Sequence, residues 1–94
     1  MEYVIKVICI QQEKIGKAIS DTETEFYTSE REWICSSIDE AETFDKAWLT
    51  DENFEDYVNA YHGDIEREVN KYGLTVDRFE LCEVNLKEIA KIVI

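Results

Sequence analysis

The helical repeat between Phe54 and Tyr72 is the feature of this 94-residue chain that most restricts its fold. Apolar side chains recur there at intervals of three or four residues, at Phe54, Val58, Tyr61, Ile65, Val69 and Tyr72. This spacing predicts a helix with one apolar stripe, beginning at Thr50-Asp51-Glu52. Gly73 stands where a glycine typically ends a helix. Whether the helix continues through Gly63, which weakens it by about 1 kcal/mol, stays open.

Short runs rich in β-branched and aromatic residues predict strands elsewhere in the chain. The run from Tyr3 to Ile10 contains one charge and predicts a central strand that is buried on both faces. Further strands are predicted at Glu23–Thr28, at Arg31–Cys35 after a tight connection near Ser29, and at Thr75–Val84 with Phe79 and Leu81 facing in. Lys17-Ala18-Ile19 is a candidate short strand. Residues 86–94 fit a last helical turn and a strand equally well.

A second helix is predicted after Ser37. Ser37-Ile38-Asp39-Glu40 matches the Ser-x-x-Glu capping box, and an apolar stripe follows at Ile38, Ala41, Phe44 and Trp48. These elements together predict an α+β fold: a three- to four-stranded, mainly antiparallel sheet with two helices packed on one face. The chain has no proline, internal repeat or linker-like segment, so residues 1–94 are predicted to form a single domain.

Acidic residues are concentrated between Ser20 and Tyr57. This segment holds thirteen of the 22 acidic residues but only two of the ten basic ones, so it carries −11 of the net charge of −12. Such a charge disfavours direct contact with nucleic acid or anionic membranes, and it favours basic protein surfaces. Like charges four residues apart, as in Asp51 with Glu55, cost a few tenths of a kcal/mol. Because the rest of the chain interleaves acids with bases, the segment indicates a binding surface.

The chain offers little for catalysis. His62 is the only histidine, and the sequence has no GxxxxGK[ST], GxGxxG, HExxH or CxxC motif. Cys9, Cys35 and Cys82 stand in apolar runs and are predicted to be buried, reduced thiols of a cytoplasmic protein. No apolar run approaches the length of a membrane span. We therefore expect no enzymatic activity and no cofactor.

A metal site is not expected either. Acidic and serine side chains fall at five of the ligand positions of an EF-hand, at Asp21, Glu23, Glu25, Ser29 and Glu32. Phe26, however, occupies the position that must make a sharp turn and requires glycine. The flanking residues also favour strands over helices. An EF-hand is excluded, and weak incidental cation binding stays open.

Carboxylates held in a row on a rigid domain imitate the charges of a nucleic-acid backbone, and they suit a channel lined by Lys and Arg. The residues predicted to bind such a partner are eight acids and two aromatic anchors: Glu23, Glu25, Glu30, Glu32, Glu42, Asp45, Glu55, Asp56, Tyr27 and Tyr57. Phe26 and Trp33 are assigned to the core. The predicted partner is a nucleic-acid-binding protein or nuclease. The alternative is a structural or adaptor module that forms a homodimer or larger homo-oligomer and whose acidic face is only solvated.

This chain resembles many small phage and prophage proteins in its opening Tyr3-Val4-Ile5-Lys6-Val7, the later Trp33 and the run Ser37–Phe44. The likeness covers about the first half of the chain. Those chains typically begin with a strand hairpin and pass through a tryptophan into a capped helix. Some small acidic members are counter-defence inhibitors, including anti-CRISPR and anti-restriction proteins that mimic DNA. The resemblance implies a non-enzymatic inhibitor of this class, acting in the host-cell cytoplasm. It carries over no catalytic residues.

Overall fold

The computed structural model of the chain describes residues 2–11, 23–48, 51–85 and 88–94. These residues form one antiparallel five-stranded sheet in the order β3-β2-β1-β4-β5. The elements are β1 Tyr3–Gln11, β2 Thr24–Ser29, β3 Trp33–Cys35, a 3₁₀ turn Ile38–Glu40, α1 Asp51–Asn70, β4 Leu74–Glu83 and β5 Glu88–Val93. The α+β class is therefore as predicted.

β1 lies at the centre of the sheet, paired with β2 on one side and β4 on the other. Its β-branched residues are buried on both faces, which confirms the prediction from its composition. On one face Ile5 and Val7 join a core that includes Phe79 and Leu81 of β4, the two side chains predicted to face in. This face is covered by α1.

α1 runs from Asp51 to Asn70 without a break at Gly63, so the question of continuity is answered. Its predicted stripe packs into the core with fully or nearly fully buried side chains at Phe54, Val58, Ile65 and Val69. Tyr61 and Tyr72, which belong to the same repeat, remain exposed. Gly73 has φ of 74°, the left-handed conformation expected at the end of a helix.

Two details of the predicted architecture are corrected, and one open alternative is decided. The described residues contain five strands, not three or four, and a single α-helix, not two. Residues 88–93 form strand β5, which excludes a last helical turn there. The candidate strand Lys17–Ile19 lies outside the described residues.

The predicted helix after Ser37 is reduced to one 3₁₀ turn. The Ser37 hydroxyl does cap it, accepting a hydrogen bond from Asp39 N at 3.2 Å, but the chain becomes extended at Ala41. Phe44 then forms an antiparallel bridge with Tyr3, where β2 has already ended. The backbone of Tyr3 thereby gains both hydrogen bonds, and this gain outweighs the local helical preference.

The stripe that predicted this helix is divided between the two faces of the sheet. Ile38 and Ala41 cover a small cluster on the face away from α1, here called the open face, formed by Val4, Tyr27, Cys35 and Cys82. Phe44 and Trp48 instead pack on the α1 side. A single helix presents one stripe to one surface, so it could not bury both pairs.

Candidate protein-binding surface

The predicted acidic residues fall into separate groups in the structure. Glu23 and Glu25 lie on the open face beside bases from β1 and β4. Glu25 Oε1 is 3.3 Å from Lys6 Nζ. Burial lowers the pKa of Lys6, but the hydrogen bond and charge of Glu25 outweigh it, and the net pKa is raised. These two carboxylates therefore already have partners.

Arg78 holds the rest of this open-face network together. Its guanidinium binds both carboxylate oxygens of Glu23, at 2.6 and 3.2 Å, and also Asp77 at 2.7 Å and Glu80 at 2.9 Å. Hydrogen bonding from Arg78 lowers the pKa of Glu23. A basic partner would have to displace Arg78 to reach Glu23, which makes this face a poor docking surface.

A second group of carboxylates surrounds a depression beside the β2–β3 turn. It is built by residues 29–32 of that turn and by residues 40–43 after the 3₁₀ turn, which are joined by the hydrogen bond from Glu42 N to Thr28 O at 2.9 Å. We call it the acidic depression, because four acids line it: Glu30, Glu32, Glu40 and Glu42. One base, Arg31, also lines it. Within the described ranges Glu30, Glu32 and Glu40 form no ion pair.

Glu42 is the least exposed member of the acidic depression. Its Oε1 and the hydroxyl of Thr28 are buried and make no hydrogen bond of acceptable geometry in the described part of the chain. Burial raises the pKa of the Glu42 carboxyl, hydrogen bonding from Tyr57 opposes this, and the charge of Glu30 adds to it. Burial likewise raises the pKa of Tyr57, whose hydroxyl lies beside Thr28 and Glu42. The Tyr57 hydroxyl thus lies close to both side chains, although neither Thr28 Oγ1 nor Glu42 Oε1 forms a well-aligned hydrogen bond.

The remaining predicted residues do not join the acidic depression. Asp45 Oδ1 accepts a hydrogen bond from Trp48 N at 3.0 Å and closes a turn. Glu55 lies towards the opposite edge of the sheet, near Ala90 and Ile92 of β5, and Asp56 is exposed on α1. The two predicted aromatic anchors are not exposed to a partner, because Tyr27 is buried on the open face and Tyr57 is half-buried among other aromatic rings.

An exposed aromatic group lies next to the acidic depression and was not predicted. Phe26 packs against the core as expected, but Trp33 is 38% exposed and contacts Tyr61, with ring centroids 5.6 Å apart. Strand alternation would not have found it, because alternation places Trp33 with Cys35 on the open face, whereas Trp33 has φ of 69° and its ring lies against Tyr61 of α1. Glu40 was missed because its place in a predicted first helical turn explained its charge.

The described ranges offer little for metal binding or nucleophilic chemistry. They contain no group of three or more His, Cys, Asp or Glu side chains that could hold a metal ion. His62 is half-buried with its ring edge-on to Phe79. Burial raises the pKa of Cys9 to about 12 and that of Cys82 to about 11, so these thiols are poor nucleophiles at neutral pH. Among the helices of the described residues, none has the length and apolarity to cross a membrane.

Comparison with models of known protein families, with curated proteins and with solved structures finds no match to this chain. The candidate surface therefore stands on its own geometry and charge.

Proposed function

We propose that this protein is a non-enzymatic inhibitor that binds the basic nucleic-acid-binding channel of a target protein. The acidic depression is the observation that carries the proposal, because it gathers four carboxylates around a single base. Three of them form no ion pair in the described part of the chain, in contrast to Glu23 and Glu25 on the open face. Nucleic-acid mimicry needs such unpaired anionic groups on one surface.

Electrostatics favours a positively charged occupant here. Like charges brought together from the β2–β3 turn and from the residues after the 3₁₀ turn repel one another, and Lys or Arg side chains of a partner would relieve this repulsion. Hydrogen bonds between a guanidinium or ammonium group and a carboxylate are among the strongest in proteins. The net charge of −12 would also accelerate encounter with a basic partner. The depression thus supports both binding and steering.

The proposed targets are nucleases and other nucleic-acid-handling proteins, with phage counter-defence as the biological setting. The resemblance of the first half of the sequence to small phage and prophage proteins, some of which are counter-defence inhibitors, supports this class, and the charge arrangement supports it independently. A catalytic role has less support, because the carboxylates of the depression are exposed apart from Glu42 and the buried thiols resist ionisation.

A pair of double variants tests the proposal. Glu30→Lys with Glu32→Lys reverses two charges in the acidic depression, whereas Glu55→Lys with Asp56→Lys makes the same charge change on α1. The wild type and both variants are used to capture proteins from a bacterial lysate, and mass spectrometry identifies what is bound. We expect the wild type and the α1 variant to retain nucleic-acid-binding proteins, and the depression variant to lose them.

Two further measurements sharpen this test. Captured proteins should be released between about 0.1 M and about 1 M salt, as the Debye length falls from about 10 Å to about 3 Å. Double-stranded DNA should compete for them. If the depression variant captures the same proteins as the wild type, or if DNA does not compete, the proposal is wrong.

One observation favours the alternative of a homo-oligomeric module. β5 is an edge strand, and Ile89, Val93 and Ile94 are 44%, 65% and 50% exposed. Exposed apolar edges invite pairing with another chain. Light scattering at low and high salt tests it: an oligomer held by this edge persists at high salt, and Val93→Lys should dissociate it. A monomer at all concentrations would exclude the module.

A further inference from the structure

A second depression lies between β3 and the C-terminal end of α1 and adjoins the acidic depression. It is lined by Arg31, Glu32, Trp33, Ile34, Glu68 and Tyr72. Arg31 and Glu32 line both depressions, so the two form one continuous surface. We call this second one the aromatic depression.

Its aromatic side chains are unusually exposed for their size. Tyr72 is 66% exposed and Trp33 is 38% exposed, and Tyr61, which contacts Trp33, is 39% exposed. Aromatic side chains stabilise a core through the large area that they bury, and these three bury only part of theirs. Tryptophan, tyrosine and arginine are the residues that dominate protein–protein interfaces.

Trp33 also occupies a costly backbone conformation. Its φ is 69°, and within the described residues it is the one non-glycine residue with positive φ. A large side chain in this left-handed region costs about 1–2 kcal/mol, and Gly or Asn would be accommodated more easily. A small residue at position 33 would therefore reduce the strain in the backbone. The contribution of Trp33 is its exposed ring.

We propose that the aromatic depression receives an arginine side chain of the basic partner. This inference rests on the proposed function and specifies its central contact. Trp33 and Tyr72 both line the depression and are partly exposed, so an aromatic ring is available for a planar guanidinium to stack on, and the carboxylates of Glu32 and Glu68 neutralise its charge. A lysine ammonium is a compact, strongly hydrated charge that neither stacks nor binds a carboxylate through two parallel hydrogen bonds.

The chain's own bases compete for this position. Lys71 Nζ is 2.9 Å from Glu68 Oε1, and Arg31 lines the depression without an ion pair in the described ranges. The Lys71 side chain is 65% exposed, and exposed pairs of this kind are worth about 0–1 kcal/mol. An incoming guanidinium can therefore displace Lys71 readily. Removal of Arg31 should strengthen binding.

The test compares oligoarginine and oligolysine peptides of equal length and charge. Trp48→Phe leaves Trp33 as the only tryptophan, so its fluorescence reports occupancy of the aromatic depression directly. We expect oligoarginine to bind about tenfold more tightly than oligolysine, in line with a stacked cation–π contact, and to change the Trp33 emission. Tyr72→Leu, at a largely exposed position, should bring the two affinities together without unfolding the protein.

A matched pair of variants tests the competing base. Arg31→Gln and Arg67→Gln make the net charge more negative by the same amount, but Arg67 lies on α1 in a pair with Asp64. Only Arg31→Gln should improve oligoarginine binding beyond the general effect of charge. Equal effects of the two variants would contradict the inference.

The outcomes separate this inference from the proposed function. Equal affinity for both peptides, or an unchanged preference in Tyr72→Leu, would overturn the arginine site while leaving an acidic binding surface in place. Failure of both peptides to bind at low salt would overturn the proposed function and the arginine site together. Circular dichroism of each variant verifies that the fold is retained.

Discussion

Glu66 is expected to be the residue outside the core that most strongly fixes α1 on the sheet. Its carboxylate accepts hydrogen bonds from the Thr75 hydroxyl and, at 2.9 Å, from Val76 N at the start of β4. The pairing of β1 with β4 shifts register next to Val76, where Ile8 opposes Arg78 and Cys9 opposes Val76. The bulge thereby turns one backbone N–H towards α1, and Glu66 satisfies it.

The expected cost of Glu66→Ala follows from these two bonds. A hydrogen bond to a charged group contributes about 1.5–3 kcal/mol, and a buried N–H left without a partner costs about 1–3 kcal/mol. Both acceptors are lost in the variant, and Val76 is only 5% exposed, so water replaces them poorly. We expect the free energy of unfolding to fall by about 3 kcal/mol. For a domain of this size, this corresponds to a fall in Tm of about 15 °C.

Urea unfolding monitored by circular dichroism measures this loss, and Glu66→Gln is the control. The amide oxygen of glutamine can still accept from Val76 N, so we expect that variant to lose only about 1 kcal/mol. The m-value should stay unchanged, because the area exposed on unfolding is the same. A loss below about 1 kcal/mol for Glu66→Ala, or equal losses for both variants, would refute the assignment of Glu66 as the link between α1 and β4.

Three other predictions follow from local structure. Because burial raises the pKa of Cys9 to about 12 and of Cys82 to about 11, a thiol reagent at pH 8 should label native protein far more slowly than protein unfolded in urea. Gly63→Ala, with nothing within 4 Å of the added Cβ, should stabilise by about 1 kcal/mol in urea unfolding, whereas Gly73→Ala, at φ of 74°, should destabilise by about 1 kcal/mol. Burial raises the pKa of Glu42, so the folded state holds the proton of this carboxyl more tightly than the unfolded state. The free energy of unfolding should therefore fall as pH rises from the ordinary glutamate pKa through the raised one. Glu42→Gln should remove this part of the pH dependence.

The elements predicted correctly are those whose secondary structure follows from their own pattern of buried residues. β1 is hydrophobic on both faces, and only a central strand buries both. The repeat of α1 and the turn after it is long, four of its six stripe residues are buried, and such a repeat fits no other regular structure. Gly73 adopts the left-handed conformation in the turn after Asn70, where α1 ends, as its conformational freedom allows. Each of these predictions used residues close in sequence and needed no knowledge of register.

Ion pairing, by contrast, could not be predicted from the sequence. Glu23 and Arg78 are 55 residues apart, and they meet only because β2 and β4 flank the same central strand. The pairing of Lys6 with Glu25 likewise depends on the register of β1 against β2. Charge density in the sequence therefore identified acidic residues but not which of them lack a partner. That distinction decides which carboxylates remain free for binding.

The proposed binding surface is created by the segment that was wrongly predicted to be a helix. A helix from Ile38 to Trp48 would have used Glu40 in its first turn and buried Phe44 with Ile38 on one side. In the structure, the bridge between Phe44 and Tyr3 holds the chain extended, and the hydrogen bond from Glu42 N to Thr28 O brings residues 40–43 against the β2–β3 turn. These backbone hydrogen bonds oppose the mutual repulsion of the four like charges. The bridge at Phe44 thus helps to hold these carboxylates together in the surface that is proposed to bind a basic partner.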